Sequence, residues 1–273
     1  MNFTKEEELK IVQMYNDEKL STVKIGKCFN CGNKVIAKVL DKYDIPRIGN
    51  GRRKFFFDEN YFDVINTQNK AYILGFLFAD GNNTLSKCTI RISLKEEDKD
   101  ILERMRLETK FTKPLKYKDN SLDDHNGYIS KNAYVLEWYS KHLCETLNNI
   151  GMIPNKSLSV EFPTIPNELF SHFIRGYYDG NGSIHRSIKN ENNHAITVTI
   201  TSTDKFCNAL SEICMNELNL KSGIYDASNH NGITKVFTLS GRNKAKIFLD
   251  WIYKDADMFL KRKHDRYIEY YDL

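Results

Sequence analysis

No apolar run in this sequence is long enough to span a bilayer. The longest, Tyr72 to Ala79, is short and interrupted by Gly75. Proline is scarce, at five residues in 273, and no low-complexity tract occurs, which excludes a disordered or fibrous chain. The opening Met1-Asn2-Phe3-Thr4-Lys5-Glu6 lacks the basic-then-apolar pattern of a secretory signal. A soluble cytoplasmic protein with no membrane partner is therefore expected. Its six cysteines should stay reduced. Cys28 and Cys31 have C-x-x-C spacing, but no second pair of ligands follows, so buried small hydrophobes are expected there rather than zinc. No small-molecule cofactor is expected either.

Excess charge is also small, at +4, but it is unevenly spread. Residues 1–54 hold 12 Lys/Arg against 7 Asp/Glu, leaving 28 and 29 in the remainder. The N-terminal segment thus has the electrostatic footprint of a nucleic-acid binder, and the body must work through local arrangement. The 41% hydrophobic and 12% aromatic content supports a real core.

Apolar Leu9, Val12, Met14 and Tyr15 predict a helix over about residues 5–17. Ser21 or Thr22 can cap a second helix, Gly26 suits a close crossing, and Asn30 suits a left-handed turn. Val35, Ile36, Val39 and Leu40 give a third helix one buried face, with Asn33, Lys34, Ala37 and Lys38 outward. This pattern resembles the helix-turn-helix of bacterial repressors and recombinases, whose last helix enters the major groove. Asn33, Lys34 and Lys38 are the candidate contacts. Arg47, Arg52, Arg53 and Lys54 around Gly49 and Gly51 predict a basic arm that follows phosphates or enters the minor groove.

The body contains one unit twice. Ala71-Tyr72-Ile73-Leu74-Gly75-Phe76-Leu77-Phe78-Ala79-Asp80-Gly81 is echoed 101 residues later by His172-Phe173-Ile174-Arg175-Gly176-Tyr177-Tyr178-Asp179-Gly180-Asn181-Gly182. Gly75 with Ala79, and Gly176 with Gly180, are four apart and share a helical face. These four small residues predict a helix–helix seam about a pseudo-two-fold axis, with Asp80 and Asn181 together at its lower end. The strands that follow alternate. Thr89, Arg91, Ser93 and Lys95 in the first copy, and Thr197, Thr199 and Thr201 in the second, form wet faces. Arg91 and Lys95 suit guanine edges or phosphates, and Lys116, Lys118, His185 and Lys235 are further candidates.

The two repeats, with Gly151-Met152-Ile153-Pro154-Asn155-Lys156-Ser157 between them and Leu260-Lys261-Arg262-Lys263 near the end, resemble the single-chain LAGLIDADG homing endonucleases. The resemblance implies an α+β fold of two pseudo-symmetric αββαββα units preceded by the all-α module. The expected boundaries are 1–48 for the helix-turn-helix, 49–60 for a basic linker arm, 61–157 for the first unit and 158–273 for the second. It implies a monomer acting as a pseudo-dimer on double-stranded DNA, and site-specific phosphodiester hydrolysis with Mg²⁺ or another divalent cation. Such proteins belong to mobile introns, inteins or phage genomes, and a bacterial, phage or organellar origin follows; the bare Met1 start argues against an intein. The metal ligands it implies are Asp80 and, in the second copy, Asn181, with Lys156 and Lys263 (or Lys261) stabilising transition-state charge. Asn181 lacks the charge that holds Mg²⁺. Nicking or attenuated cleavage, a DNA-binding regulator without chemistry, and an RNA-splicing maturase all stay open. Asp179, two positions along its helix from Asn181, points elsewhere and should not compensate.

Overall fold

A computed structural model describes residues 3–18, 20–45, 55–120, 124–125, 128–129, 131–190, 193–227 and 233–272. Arg47, Arg52, Arg53 and Lys54 lie outside the described residues, so the expected basic arm has no structural account. The chain divides into two compact units, Met1–Phe57 with Lys110–Lys113, and Asp58–Thr109 with Pro114–Leu273. The described helices include none that is long and apolar enough to cross a membrane.

The smaller unit holds α1 (Lys5–Asn16), α2 (Thr22–Cys28) and α3 (Asn33–Lys42). Thr4 and Glu7 close a capping box on α1, and Ser21 accepts from Lys24 N–H to cap α2. The turn between α2 and α3 depends on two residues. Asn30 adopts φ 53°, and a Cβ on Gly26 would lie 2.6 Å from the Cys31 carbonyl. Ile11, Met14, Tyr15, Ile25, Ile36, Val39 and Leu40 form the core. Asn33, Lys34 and Lys38 are exposed, as an amphipathic third helix requires. The unit also includes a segment that the sequence boundary at 48 does not: the Thr112 amide donates to the Phe56 carbonyl, the Phe56 amide donates to the Thr112 hydroxyl, and Phe57 meets Phe111 edge-on.

The larger unit is α+β and runs the αββαββα order twice. The first run is α4 (Gln68–Asp80), β1 (Asn82–Thr84), β2 (Thr89–Lys95), α5 (Lys99–Glu108), β3 (Lys116–Lys118), β6 (Ala133–Tyr139) and α6 (Lys141–Ile150). A two-stranded ribbon, β4 (Asp124–His125) with β5 (Tyr128–Ile129), interrupts it. The second run is α7 (Phe170–Asn181), β7 (Gly182–Asn190), β8 (Asn193–Thr203), α8 (Asp204–Leu218), β9 (Gly223–Asp226), β10 (Thr234–Ser240) and α9 (Arg242–Tyr253), and α10 (Lys261–Tyr271) follows. Each run yields an antiparallel four-stranded sheet, β1-β2-β6-β3 and β7-β8-β10-β9, so the sheets are topological copies.

The helices α4 and α7 lie against each other along their length. A Cβ on Gly75 would sit 2.0 Å from the Phe173 carbonyl oxygen, and one on Gly176 would sit 2.0 Å from the Tyr72 carbonyl oxygen. Only glycine lets the two backbones come this close. Residues Ala71 to Phe78 of α4 are all buried, so this helix is a core element with little amphipathic character.

Around this seam the two copies differ. Leu74 and Phe78 of α4 correspond to Arg175 and Asp179 of α7, and both charged residues are buried. Arg175 donates through Nε to the Met258 carbonyl (2.8 Å) and through Nη1 to the Ile252 carbonyl (2.8 Å), and its guanidinium lies over the Tyr72 ring. Asp179 accepts from the Tyr72 hydroxyl (2.9 Å), the Tyr253 hydroxyl (3.1 Å) and the Leu260 amide (2.7 Å). The pair therefore clamps the segment between α9 and α10 onto α7. Burial pushes the Asp179 carboxyl up to about 6, against the pull of Lys263 and these three donors.

Arg175→Met strands two buried carbonyls and unbalances Asp179. A loss of about 3 kcal/mol in unfolding free energy is expected from urea denaturation. An unchanged midpoint would show the clamp to be idle.

Candidate active site and nucleic-acid interface

The C-terminal tips of α4 and α7 meet. A Cβ on Gly180 would lie 2.3 Å from the Ala79 Cβ and 3.3 Å from Asp80 Oδ2, so the Asp80 carboxylate lies against the last turn of α7. Asp80 and Asn181 are both exposed at these tips. The crowding of protein atoms raises the Asp80 carboxyl above its ordinary value, while Lys263, Lys156 and Arg262 draw it down and Asp98 pushes it up. The Asn181 amide nitrogen donates to the Tyr177 hydroxyl at 3.3 Å, and that hydroxyl bonds Ser202 Oγ at 2.8 Å.

Lys156 and Lys263 occupy matching places. Lys156, in a short 3-10 turn after α6, donates to the carbonyls of Gly81 (2.6 Å) and Ala79 (3.5 Å). Lys263, in the first turn of α10, donates to the carbonyls of Gly182 (2.6 Å), Tyr178 (2.7 Å) and Gly180 (3.4 Å). A helix ends with unpaired carbonyls and a partial negative charge, and an ammonium group satisfies both. Each lysine is buried, and burial pulls both ammonium groups down to about 8, against the opposing pull of Asp80 on Lys156 and of Asp179 and Asp80 on Lys263. Lys261, the alternative to Lys263, is paired with Asp265 and exposed.

Among the described residues no three His, Cys, Asp or Glu come together as a metal cluster. One exposed carboxylate, at helix tips that also carry the Asn181 amide, fits Mg²⁺, which keeps several waters and takes further oxygens from substrate phosphate. It does not fit a cation held by protein ligands alone.

The candidate contact strands lie in register. In the first sheet Asn82, Arg91 and Glu137 stand in one row, Ser93, Val135 and Lys116 in the next, and Lys95, Ala133 and Lys118 in a third. Arg91, Ser93, Lys95, Lys116 and Lys118 are exposed. In the second sheet His185, Thr197 and Ser240 form one row and Ser183, Thr199 and Thr238 another, with Thr201 opposite Val236. His185 and Thr201 are exposed, and Thr197 and Thr199 half-buried. Two of the candidate contacts need correction. Thr89 is buried, its hydroxyl bonded to the Lys87 carbonyl where the strand begins. Lys235 shares the parity of buried Phe237, not of Thr238, and pairs with Asp226.

Sequence reasoning missed Arg175 and the contacts of Asp179. The signal was present: an i, i+4 charged pair stands where the first copy has Leu74 and Phe78. It also missed Asp98, buried and accepting from Arg262 Nε through both oxygens at 2.9 and 3.1 Å.

Paired helices of this kind above two antiparallel sheets define a class. Residues 169–252, from just before α7 almost to the end of α9, match the family model of the LAGLIDADG-like domain. Solved structures of similar fold include the meganuclease I-SmaMI bound to uncleaveable DNA, at 13% identity over 71% of this chain and 86% of its own, TM-score 0.49. They also include the LAGLIDADG homing endonuclease I-LtrWI bound to target DNA, at 11% identity over 77% and 88%, TM-score 0.48. Full-length DUF199/WhiA from Thermatoga maritima is a third, at 15% identity over 78% and 65%, TM-score 0.45. No curated protein sequence matches the chain.

The lysine ammonium groups have a signature in stability. Between pH 8 and 10.5 they are neutral in the folded chain and still protonated in the unfolded one. The unfolded state then binds more protons, so stability rises with pH across that window. Relative to Lys263→Met, the wild type should gain stability from pH 8 to 10 in denaturant titrations. Parallel curves would refute the assignment.

Proposed function

We propose that this chain binds duplex DNA at a specific site and hydrolyses a phosphodiester with Mg²⁺, one strand being cut far more readily than the other. The observation that carries this reading is the meeting of the α4 and α7 tips, with Asp80 between two buried lysines. Two strands of a duplex require two centres, and a pseudo-symmetric protein supplies two. The centre at Asp80 has a carboxylate; the one at Asn181 has only a neutral amide.

Asp80 and the Asn181 amide oxygen would hold Mg²⁺, which when bound polarises the phosphate and lowers the pKa of attached water. The tips already carry two ammonium groups beside one carboxylate, so the protein alone attracts a cation poorly. DNA phosphates complete the site. The same phosphates hold Lys156 and Lys263 protonated, and the ammonium groups then face charge that grows on the phosphate as the bond breaks. Held by helix-end carbonyls, they need no rearrangement.

The smaller unit supports a helix-turn-helix reading, with exposed Asn33, Lys34 and Lys38 on α3 directed to the major groove. It would lengthen the target. A second reading, a DNA-binding regulator without nuclease activity, is favoured by Asn181 itself.

Supercoiled plasmid carrying a selected site separates the two. With Mg²⁺, nicked circles are expected from the wild type and linear product from Asn181→Asp. Asp80→Asn should lose at least 100-fold in nicking rate while retaining affinity. Intact nicking in Asp80→Asn would remove the metal assignment, and no product from Asn181→Asp would favour the regulator.

A further inference from the structure

The two sheets are topological copies, yet their outer faces differ in chemistry. Within β1, β2, β6 and β3 the outer row positions hold four cations, Arg91, Lys95, Lys116 and Lys118, against one acid, Glu137. Where side chains are described, the outer positions of β7, β8, β10 and β9 hold no lysine, arginine or acid. Ser183, His185, Thr197, Thr199, Thr201, Thr238 and Ser240 supply hydroxyls, methyls and one imidazole there, beside Val236 and the exposed ring of Tyr225. The charged Lys235–Asp226 pair of that sheet lies on the opposite parity.

These two surfaces do different physical work on a duplex. Clustered ammonium and guanidinium groups displace condensed counterions, and the resulting affinity is salt-dependent and largely indifferent to sequence. A threonine has no net charge to offer a phosphate. Its hydroxyl can pair with base-edge donors or acceptors and its methyl can meet the methyl of thymine, so its contribution depends on the base. The β-branched side chains are also stiff at χ1, which favours discrimination over adaptation.

We propose that the two halves divide recognition: the sheet after α4 anchors the duplex electrostatically, and the sheet after α7 determines sequence preference through its threonine rows. This rests on the reading of the chain as a duplex-DNA binder and adds an asymmetry to it. The half-site under the second sheet carries most of the specificity, and the half-site under the first tolerates substitution.

The test uses the full chain in EDTA, so that no strand is cut, to select from duplexes with a randomised central segment. The enriched motif should be strong at one end and weak at the other, with single base-pair changes at the strong end weakening binding roughly 5- to 100-fold. Thr199→Val with Thr201→Val keeps strand propensity while removing two hydroxyls. It should rewrite preferences at the strong end and leave the salt dependence of affinity unchanged. Arg91→Ala, Lys95→Ala, Lys116→Ala and Lys118→Ala should each lower the log–log salt slope by about 0.9 on the same motif. Equal preferences in both half-sites, threonine variants that keep the motif, or cation variants that rewrite it would overturn the division. If the chain binds no duplex even at low salt, DNA binding itself falls; binding without this asymmetry removes only the present inference.

Discussion

The close approach of α4 to α7 is the constraint from which the rest of the larger unit follows. With Gly75 and Gly176 each opposite a backbone carbonyl of the other helix, the two axes are held at a separation no other residue allows. Since α4 is buried almost all round, no alternative face can rotate into the seam without exposing apolar surface. Both helices end at the same level, and their last carbonyls are bound by Lys156 and Lys263. Catalytic groups placed at these ends acquire their mutual geometry from backbone contact rather than from flexible side chains.

Pseudo-symmetry of the backbone coexists with asymmetry of nearly every side chain that matters. Asp80 corresponds to Asn181, Leu74 and Phe78 correspond to Arg175 and Asp179, and a cationic outer sheet face corresponds to one of hydroxyls. The buried charges of the second copy clamp the segment that leads into α10 and hence the turn bearing Lys263. In the first copy Lys156 needs no such clamp, because α6 and the turn after it follow directly; there the Asn83 amide ties together the carbonyls of Cys144 and Met152. One topology thus supports two local solutions to the same problem of holding a lysine beneath a helix end.

Much of this was legible from spacing. The repeat of small residues four apart located both central helices and their shared face, and period-two alternation located β2 and β8. Asn30 and Gly26 marked the turn between α2 and α3. Other features were not legible, for physical reasons. A strand's first residue can be buried by the turn before it, as Thr89 is, and a lysine named without its strand's parity, as Lys235 was, can lie on the opposite face. The partners that Arg175 and Asp179 find beyond α7 lie more than 70 residues away along the chain, at the end of α9 and in the segment between α9 and α10. Composition shows that a charge is present but not what satisfies it. Lys156 and Lys263 were marked only by the segments that carry the family resemblance; their bonds to the helix-end carbonyls come from the path of the chain and were not legible in the neighbouring residues.

A double-mutant cycle on the two seam glycines tests this account most directly. If Gly75 and Gly176 belong to one contact, adding the second methyl to an already separated pair costs much less than adding it alone. Gly75→Ala and Gly176→Ala should then be strongly non-additive in unfolding free energy, with a coupling of about 1 kcal/mol or more. Additivity within about 0.5 kcal/mol would mean that the helices do not share a seam, and the paired tips would lose their physical basis.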